Sequence, residues 1–149
     1  MNTPLQPAQR QSFTGVRLRK HSDYQHAYAA ARKRQSASMS WFLAPQAPQQ
    51  TPFAAPFPNA PRVGLTAGKV LGPAHQRNRI KRRMREALRR HLDLLPHNCD
   101  LIFHPRRVVL TIDFAKLEAE IVRILHQANA EAARIAAASH PHPAPARPA

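Results

Sequence analysis

Apolar residues recur along this chain with two different periods, and each change of period marks a new element. Tyr24, Ala27, Tyr28 and Ala31 stand at i, i+3, i+4 and i+7, which is one face of a helix. Ser22-Asp23-Tyr24-Gln25 has the form of a capping box, with Ser22 as N-cap and Gln25 reaching back, and the helix is expected to end near Arg32. The period then drops to two. Met39, Trp41 and Leu43 alternate with Ser38, Ser40 and Phe42, which predicts a strand with aromatic rings on both faces. A second alternation sets Val63, Leu65 and Ala67 against Arg62, Gly64 and Thr66. Between the two, residues 44–61 hold six prolines and suit only an excursion outside helix and central strand.

The helical period returns after Gly72-Pro73, proline being well tolerated in a first turn. Ile80, Met84, Ala87, Leu88, His91 and Leu92 fall on one stripe, and Pro96 and Asn98 are expected to end the helix. Asp100–His104 reads as a short buried strand and Pro105-Arg106-Arg107 as a turn. Asp113 is placed to cap a last helix whose apolar face is Phe114, Leu117, Ile121, Ile124, Leu125 and Ala128. The pattern predicts an α+β domain, three helices around a small sheet. Residues 1–12 look unstructured and the Ala/Pro/His tail is low-complexity.

Charge changes the picture. The net charge is +15 over 149 residues, which points to a polyanionic partner. From Arg62 to Arg90 ten basic residues meet Glu86 alone, whereas from His91 onward six basic residues meet six acidic ones. The excess therefore belongs to particular segments, above all to residues 74–91, with eight Lys or Arg. Arg79, Arg82, Arg83, Arg85, Arg89 and Arg90 spread over the arc opposite the apolar stripe. A solvated helix face normally mixes signs at i, i+4 spacing. This one repels itself unless a polyanion neutralises it, and counterion release then drives binding. Tyr24, Tyr28, Trp41 and Phe42 add rings on which unpaired bases could stack.

Other chemistry is not written in the chain. Cys99 is the only cysteine, so no intrachain disulfide can form, and with His97 and His104 it reads as ordinary loop and strand edge rather than a zinc site. No Gly-rich phosphate loop or nucleophile elbow occurs, and the eight acids are too scattered for a two-metal site. No catalytic residue and no metal site are expected in this chain. The absence of an apolar run of membrane-spanning length and of a secretory h-region leads us to expect a cytoplasmic protein with no membrane partner.

The stretch "RVGLTAGKVLGPAHQRNRIKRRMREALR" (62–89) resembles the signature of the bacterial ribonuclease P protein subunit. Arg77-Asn78-Arg79 with Lys81-Arg82 and Arg85-Glu86 match the family's pattern in order and spacing, and "RLRKHSDYQHAY" (17–28) resembles its opening. The resemblance covers roughly residues 16–128. It divides the chain into a disordered basic tail (1–15), a folded domain (16–128) with a proline-rich insert (45–60), and a final stretch (129–149) of helix end and tail. It departs where Gly68 and Val70 flank Lys69, and where Ala31 replaces a usual glycine. It implies an αβββαβα order with a left-handed βαβ crossover. It further implies a ribonucleoprotein that removes the 5′ leader of precursor tRNA, with Mg2+ held mainly by the RNA subunit and substrate. By that resemblance Arg77, Asn78, Arg79, Lys81, Arg82, Arg85 and Arg89 would bind the catalytic RNA, one protein per RNA. Tyr24, Tyr28 and Phe42, with Arg19 and Lys69 at the rim, would line a cleft for the leader of precursor tRNA. The rival readings are a general nucleic-acid-binding module and an autonomous protein nuclease.

Overall fold

The computed structural model describes residues 13–46 and 60–139. Residues 1–12, residues 47–59 of the proline-rich insert and residues 140–149 of the tail lie outside the described residues. Strands β1 (Arg32–Gln35), β2 (Met39–Pro45), β3 (Arg62–Leu65) and β4 (Cys99–Pro105) form one mixed sheet in the order β1-β2-β4-β3. β1, β2 and β4 are antiparallel neighbours. β3 joins β4 in parallel, Val63 opposite Leu101 and Gly64 opposite Ile102. A parallel pair needs a crossover rather than a hairpin, and helix α2 (Ala74–Arg89) supplies it. Helices α1 (His21–Ala30) and α3 (Phe114–Ser139) complete the domain.

Alternation divides the sheet into two unequal cores. Met39, Trp41, Leu43, Val63, Leu101 and Phe103 face α2 and α3, meeting Ile80, Met84, Leu88, Leu117, Ile121 and Leu125. Each fully buried large side chain contributes roughly 1.5–3 kcal/mol. The opposite face carries a small cluster of Leu18, Ala27, Ala44 and Ile102, with Tyr24, Ala31 and Phe42 packed at its margin. Arg17 bridges to Val63, and the Leu18 N–H donates to the Val63 carbonyl at 2.7 Å. The chain before α1 thereby extends the sheet beyond β3.

Several boundaries differ from the sequence reading. The capping box does not form. Lys20 is the N-cap, without a side-chain cap, and its carbonyl accepts from the Asp23 and Tyr24 N–H groups. α1 stops at Ala30 because Ala31 is already extended, at φ −91° and ψ 152°, and Arg32 pairs with Leu43. Arg32-Lys33-Arg34-Gln35 then forms β1, a strand with no apolar alternation to reveal it. Phe13–Val16 makes one helical turn, which begins inside the stretch expected as tail. Gly72 has φ +116°, a conformation that favours glycine, and Pro73 is the N-cap of α2 rather than a residue of its first turn. α2 ends at Arg89, well before Pro96 and Asn98, and a 3-10 turn over Leu92–Leu94 follows. α3 begins directly after Asp113, whose carbonyl accepts the Leu117 N–H, and runs well past Ala128.

Two buried carboxylates tie the elements together. Glu120 of α3, 4% exposed, accepts from Ser36 Oγ at 2.6 Å and from the Ser38 N–H at 2.8 Å. It thereby pins the β1–β2 turn. Asp100 of β4, fully buried, is held by Arg62 of β3 through Nε (2.7 Å) and Nη2 (2.8 Å). Arg62 Nη1 also reaches Asp23 of α1 at 3.0 Å. Burial pushes the Asp100 carboxyl up from its ordinary value, and the guanidinium pulls against that rise. Removing Arg62 leaves an uncompensated buried charge, so Arg62→Met should destabilise the domain by about 3 kcal/mol in urea unfolding. The carboxyl then sits further above its unfolded pKa of about 3.9, and the folded state takes up the proton first. The loss should therefore be greatest at neutral pH and shrink as pH falls toward 4. A pH-independent loss would show that Arg62 acts through packing alone.

Candidate nucleic-acid interface

On α2 the apolar stripe is buried as the periodicity requires, through Ile80, Met84, Ala87 and Leu88. His91, beyond the helix end, is half-buried and lies 3.0 Å from Glu118. Asn78, Lys81, Arg82, Arg85 and Arg89 follow one another at i, i+3, i+4, i+7 and i+11, a single stripe on the far side of the helix. Asn78, Arg79 and Arg82 are exposed, Lys81 and Arg85 half-buried. Among the described residues no ion pair engages Arg79, Lys81, Arg82 or Arg85.

The remaining cations have partners. Arg77 is half-buried and donates from Nε to the Gly72 carbonyl at 3.2 Å, bracing the turn that opens the helix. Arg89 pairs with Glu86 at 2.8 Å. Arg83 and Arg90 do not belong to the open arc. Arg83 donates to the Ile112 carbonyl. Arg90 lies 4.9 Å over the Phe114 ring and 3.6 Å from Glu118. These two fasten α2 to the start of α3 and the residues just before it, while Arg79, Lys81, Arg82 and Arg85 stay free of ion pairs among the described residues.

The second surface lies on the other face of the sheet. α1 covers Gly64, Ile102 and Ala44 on that face, and Phe42 and His104 beyond them are half-buried. Tyr28, at 37% exposed, has its hydroxyl 2.7 Å from His104 Nε2 and 3.4 Å from Thr66 Oγ1. Phe42 meets Tyr28 edge-on at 5.1 Å between centroids, and His104 lies 5.0 Å from Phe42. Such ring pairs are worth about 0.5–1.5 kcal/mol each, so the three are held as one unit. Cross-strand register adds Lys33 opposite Phe42, Gln35 opposite Ser40 and Ser40 opposite His104. Arg106 Nη2 reaches Gln35 Oε1 at 2.9 Å. The result is an aromatic floor with a cationic border.

Tyr24 is placed differently. It is half-buried, donates to the Leu18 carbonyl at 3.3 Å and packs on Gly64. A Cβ on Gly64 would come within 2.7 Å of the Tyr24 ring, so glycine is what allows the ring to lie there. Arg19 is exposed just after Leu18, along the β3 edge. Lys69 is exposed in the 3-10 turn Lys69–Leu71, shortly after Thr66. Sequence reasoning missed His104 and Lys33. His104 alternates with Ile102, but only the β2–β4 register puts it beside Phe42.

A protein-family model described as Ribonuclease P matches residues 14–129. The chain belongs to that family. The ribonuclease P protein component of Chloroflexus aggregans is 46% identical over 68 residues, covering 45% of this chain. The chain spans about half the length of that relative, 50%. The component of Thermobifida fusca is 29% identical over 107 residues, 70% of each chain. Among solved structures, a Staphylococcus aureus RNase P protein mutant with defective mRNA degradation activity has a TM-score of 0.62 at 21% identity, covering 77% of this chain and 89% of its own. The RNase P protein of Thermotoga maritima has a TM-score of 0.59 at 21% identity, over 74% and 96%. These two establish the fold as that of ribonuclease P proteins.

Among the described residues no group of three or more His, Cys, Asp or Glu side chains converges. No described helix is long and apolar enough to cross a membrane. Cys99 is buried, and burial pushes its thiol up to about 11, which makes it a packing residue rather than a nucleophile. In the aromatic cleft, burial and then the Lys33 ammonium hold the His104 imidazole below its ordinary 6.5. The unfolded chain therefore binds this proton more readily, and His104 should cost stability as pH falls below about 6.5. Titration of the ring by NMR should give a lowered pKa that rises in Lys33→Gln. A value at or above 6.5 would place the ring in solvent.

Proposed function

We propose that this chain is the protein subunit of ribonuclease P and assists a catalytic RNA in endonucleolytic removal of the 5′ leader from precursor tRNA. One observation carries the reading: a family member presents two surfaces suited to RNA on opposite faces of one sheet. The α2 stripe is suited to a structured RNA, because unpaired guanidinium groups on a rigid helix meet phosphates bidentately. Asn78, Arg79, Lys81, Arg82 and Arg85 carry this contact, with Arg77 and Arg89 at its ends. The cleft is suited to an unpaired strand, because Tyr28, Phe42 and His104 offer ring surface and edge hydrogen bonds. Tyr24 supports the floor from beneath, and Arg19 and Lys69 stand beside it. Opposite faces allow both RNAs to be held at once, one protein per RNA subunit, in the cytoplasm.

The chain's own acids do not fit a protein-held Mg2+, since no three of them converge among the described residues and such a site is built from oxygen ligands. We therefore assign the metal and the cleavage chemistry to the RNA subunit and substrate. This chain's residues bind, orient and neutralise. Reconstitution with a bacterial ribonuclease P RNA at low Mg2+ tests the reading: the protein should restore cleavage of leader-bearing tRNA. Charge reversal at Arg79, Arg82 and Arg85 should weaken catalytic-RNA binding strongly and flatten its salt dependence. Each lost phosphate contact removes about 0.7 to 0.9 log units of slope. An unchanged slope would move the contact off α2.

The cleft has its own test. Replacing Tyr28 and Phe42 by Leu keeps most of the apolar volume and removes the rings. Base–aromatic stacking is worth roughly 1–3 kcal/mol per base, so affinity for precursor tRNA should fall about ten-fold or more. Affinity for mature tRNA and for the catalytic RNA should hardly move. Equal losses for precursor and mature tRNA in a folded variant would remove the leader from this cleft.

A further inference from the structure

Beyond the cleft, a groove of about 470 Å3 lies between β1 and α3. Lys33, Arg34 and Trp41 line it from the sheet, and Gln127, Glu131 and Arg134 from α3. Arg34 and Trp41 are register partners across β1 and β2. Each has a buried donor without an acceptor among the described residues: Nε of Arg34 and Nε1 of Trp41, a residue only 2% exposed. Arg34 Nη2 is already committed to Glu131 at 3.1 Å. A buried donor left unmade costs about 1–3 kcal/mol, and what relieves it is an acceptor oxygen. Three cations against one carboxylate make an anionic acceptor the better fit. Ala130, Glu131 and Arg134 lie beyond residues 14–129, where the family match ends, so this chain completes the groove with residues outside that match.

Lys33 connects the groove to the cleft. It lines the groove, and its charge also acts on His104 on the other side of the sheet. β1 pairs only with β2 among the described strands, so its outer edge is open and one strand's width separates the two surfaces. A single-stranded polyanion lying on Phe42 and His104 meets cations continuously as it turns over that edge: Lys33, then Arg34 and Arg134.

We infer that the β1–α3 groove binds a phosphodiester of the precursor-tRNA leader as the strand leaves the aromatic cleft across the edge of β1. This rests on the cleft being the leader site, and the test separates the two claims. Trp41 is the only tryptophan of the chain, so its emission reports the groove directly. The holoenzyme is titrated with precursor tRNAs whose leaders lengthen one nucleotide at a time, for the wild type, Arg134→Glu and Gln127→Glu. Both substituted positions are exposed on α3, so these variants are expected to fold, which a melting curve verifies.

In the wild type, affinity should rise in a second step once the leader passes the cleft, and Trp41 emission should change only from that length onward. Arg134→Glu should abolish the second step, lower the salt slope for long leaders by about 0.7 log units for the lost contact, and leave short leaders unaffected. If Tyr28→Leu with Phe42→Leu proves neutral while Arg134→Glu still removes the long-leader step, the groove stands and the cleft reading falls. Three results would overturn the inference: a loss equal at every leader length, a loss confined to catalytic-RNA binding, or Trp41 emission that responds to inorganic phosphate and never to leader length.

Discussion

A sheet has two faces, and in this domain the helices that cover them are of very different length. α2 and α3 together seal one face with a continuous layer of Leu, Ile, Met and Phe side chains. On the other face α1 has ten residues, and at 1.5 Å per residue it reaches about 15 Å. It therefore covers Gly64, Ile102 and Ala44 and stops. What α1 leaves uncovered on this face follows from that shortfall: the half-buried Phe42, the Tyr28 ring at the helix end, and His104 in the next row of the pleat. The open surface is the part of a packed sheet that ran out of helix.

Holding a short helix in place with a small apolar cluster is difficult, and the domain solves this with charge. Arg62 reaches Asp100 in its own sheet and Asp23 in α1, so one guanidinium fixes strand to strand and helix to strand. Because a buried pair contributes little net stability over apolar packing, its effect here is positional. It sets where α1 sits along β3, and hence how far the Tyr28 ring projects. The same logic recurs at Arg83 and Arg90. Both are drawn from the basic helix to fasten it to α3, which leaves the cationic stripe on a rigid support.

Much of this was legible in the residues themselves. The alternation in Met39–Leu43 and Val63–Leu65 located two strands and assigned their faces correctly. The stripe from Ile80 to Leu92 located the buried side of α2. What escaped was whatever depends on partners rather than periods. β1 is Arg-Lys-Arg-Gln, an edge strand made by its pairing with β2, and no local pattern announces it. Ser22 and Gln25 have the right types for a capping box, yet Lys20 took the cap because the chain leaves β3's edge two residues earlier. Tyr24 and Tyr28 share a helix face and are indistinguishable by spacing. A missing Cβ at Gly64 draws one inward, and the end of the helix leaves the other out. Arg83 and Arg90 looked like open cations until α3 came to lie beside them.

The clasp between Glu120 and the turn at Ser36 and Ser38 joins residues more than eighty positions apart. On a ribosome the first hairpin is complete long before the helix that holds it has been synthesised. Until then the turn lacks its acceptor, the edge strand has no backing, and Trp41 has only half of its core. Contacts of such sequence separation form late, because loop closure must precede them. The hairpin with its three consecutive cations thus stands without its backing until the domain is finished. Completion of α3 is the event that turns a loose basic strand into one wall of a groove.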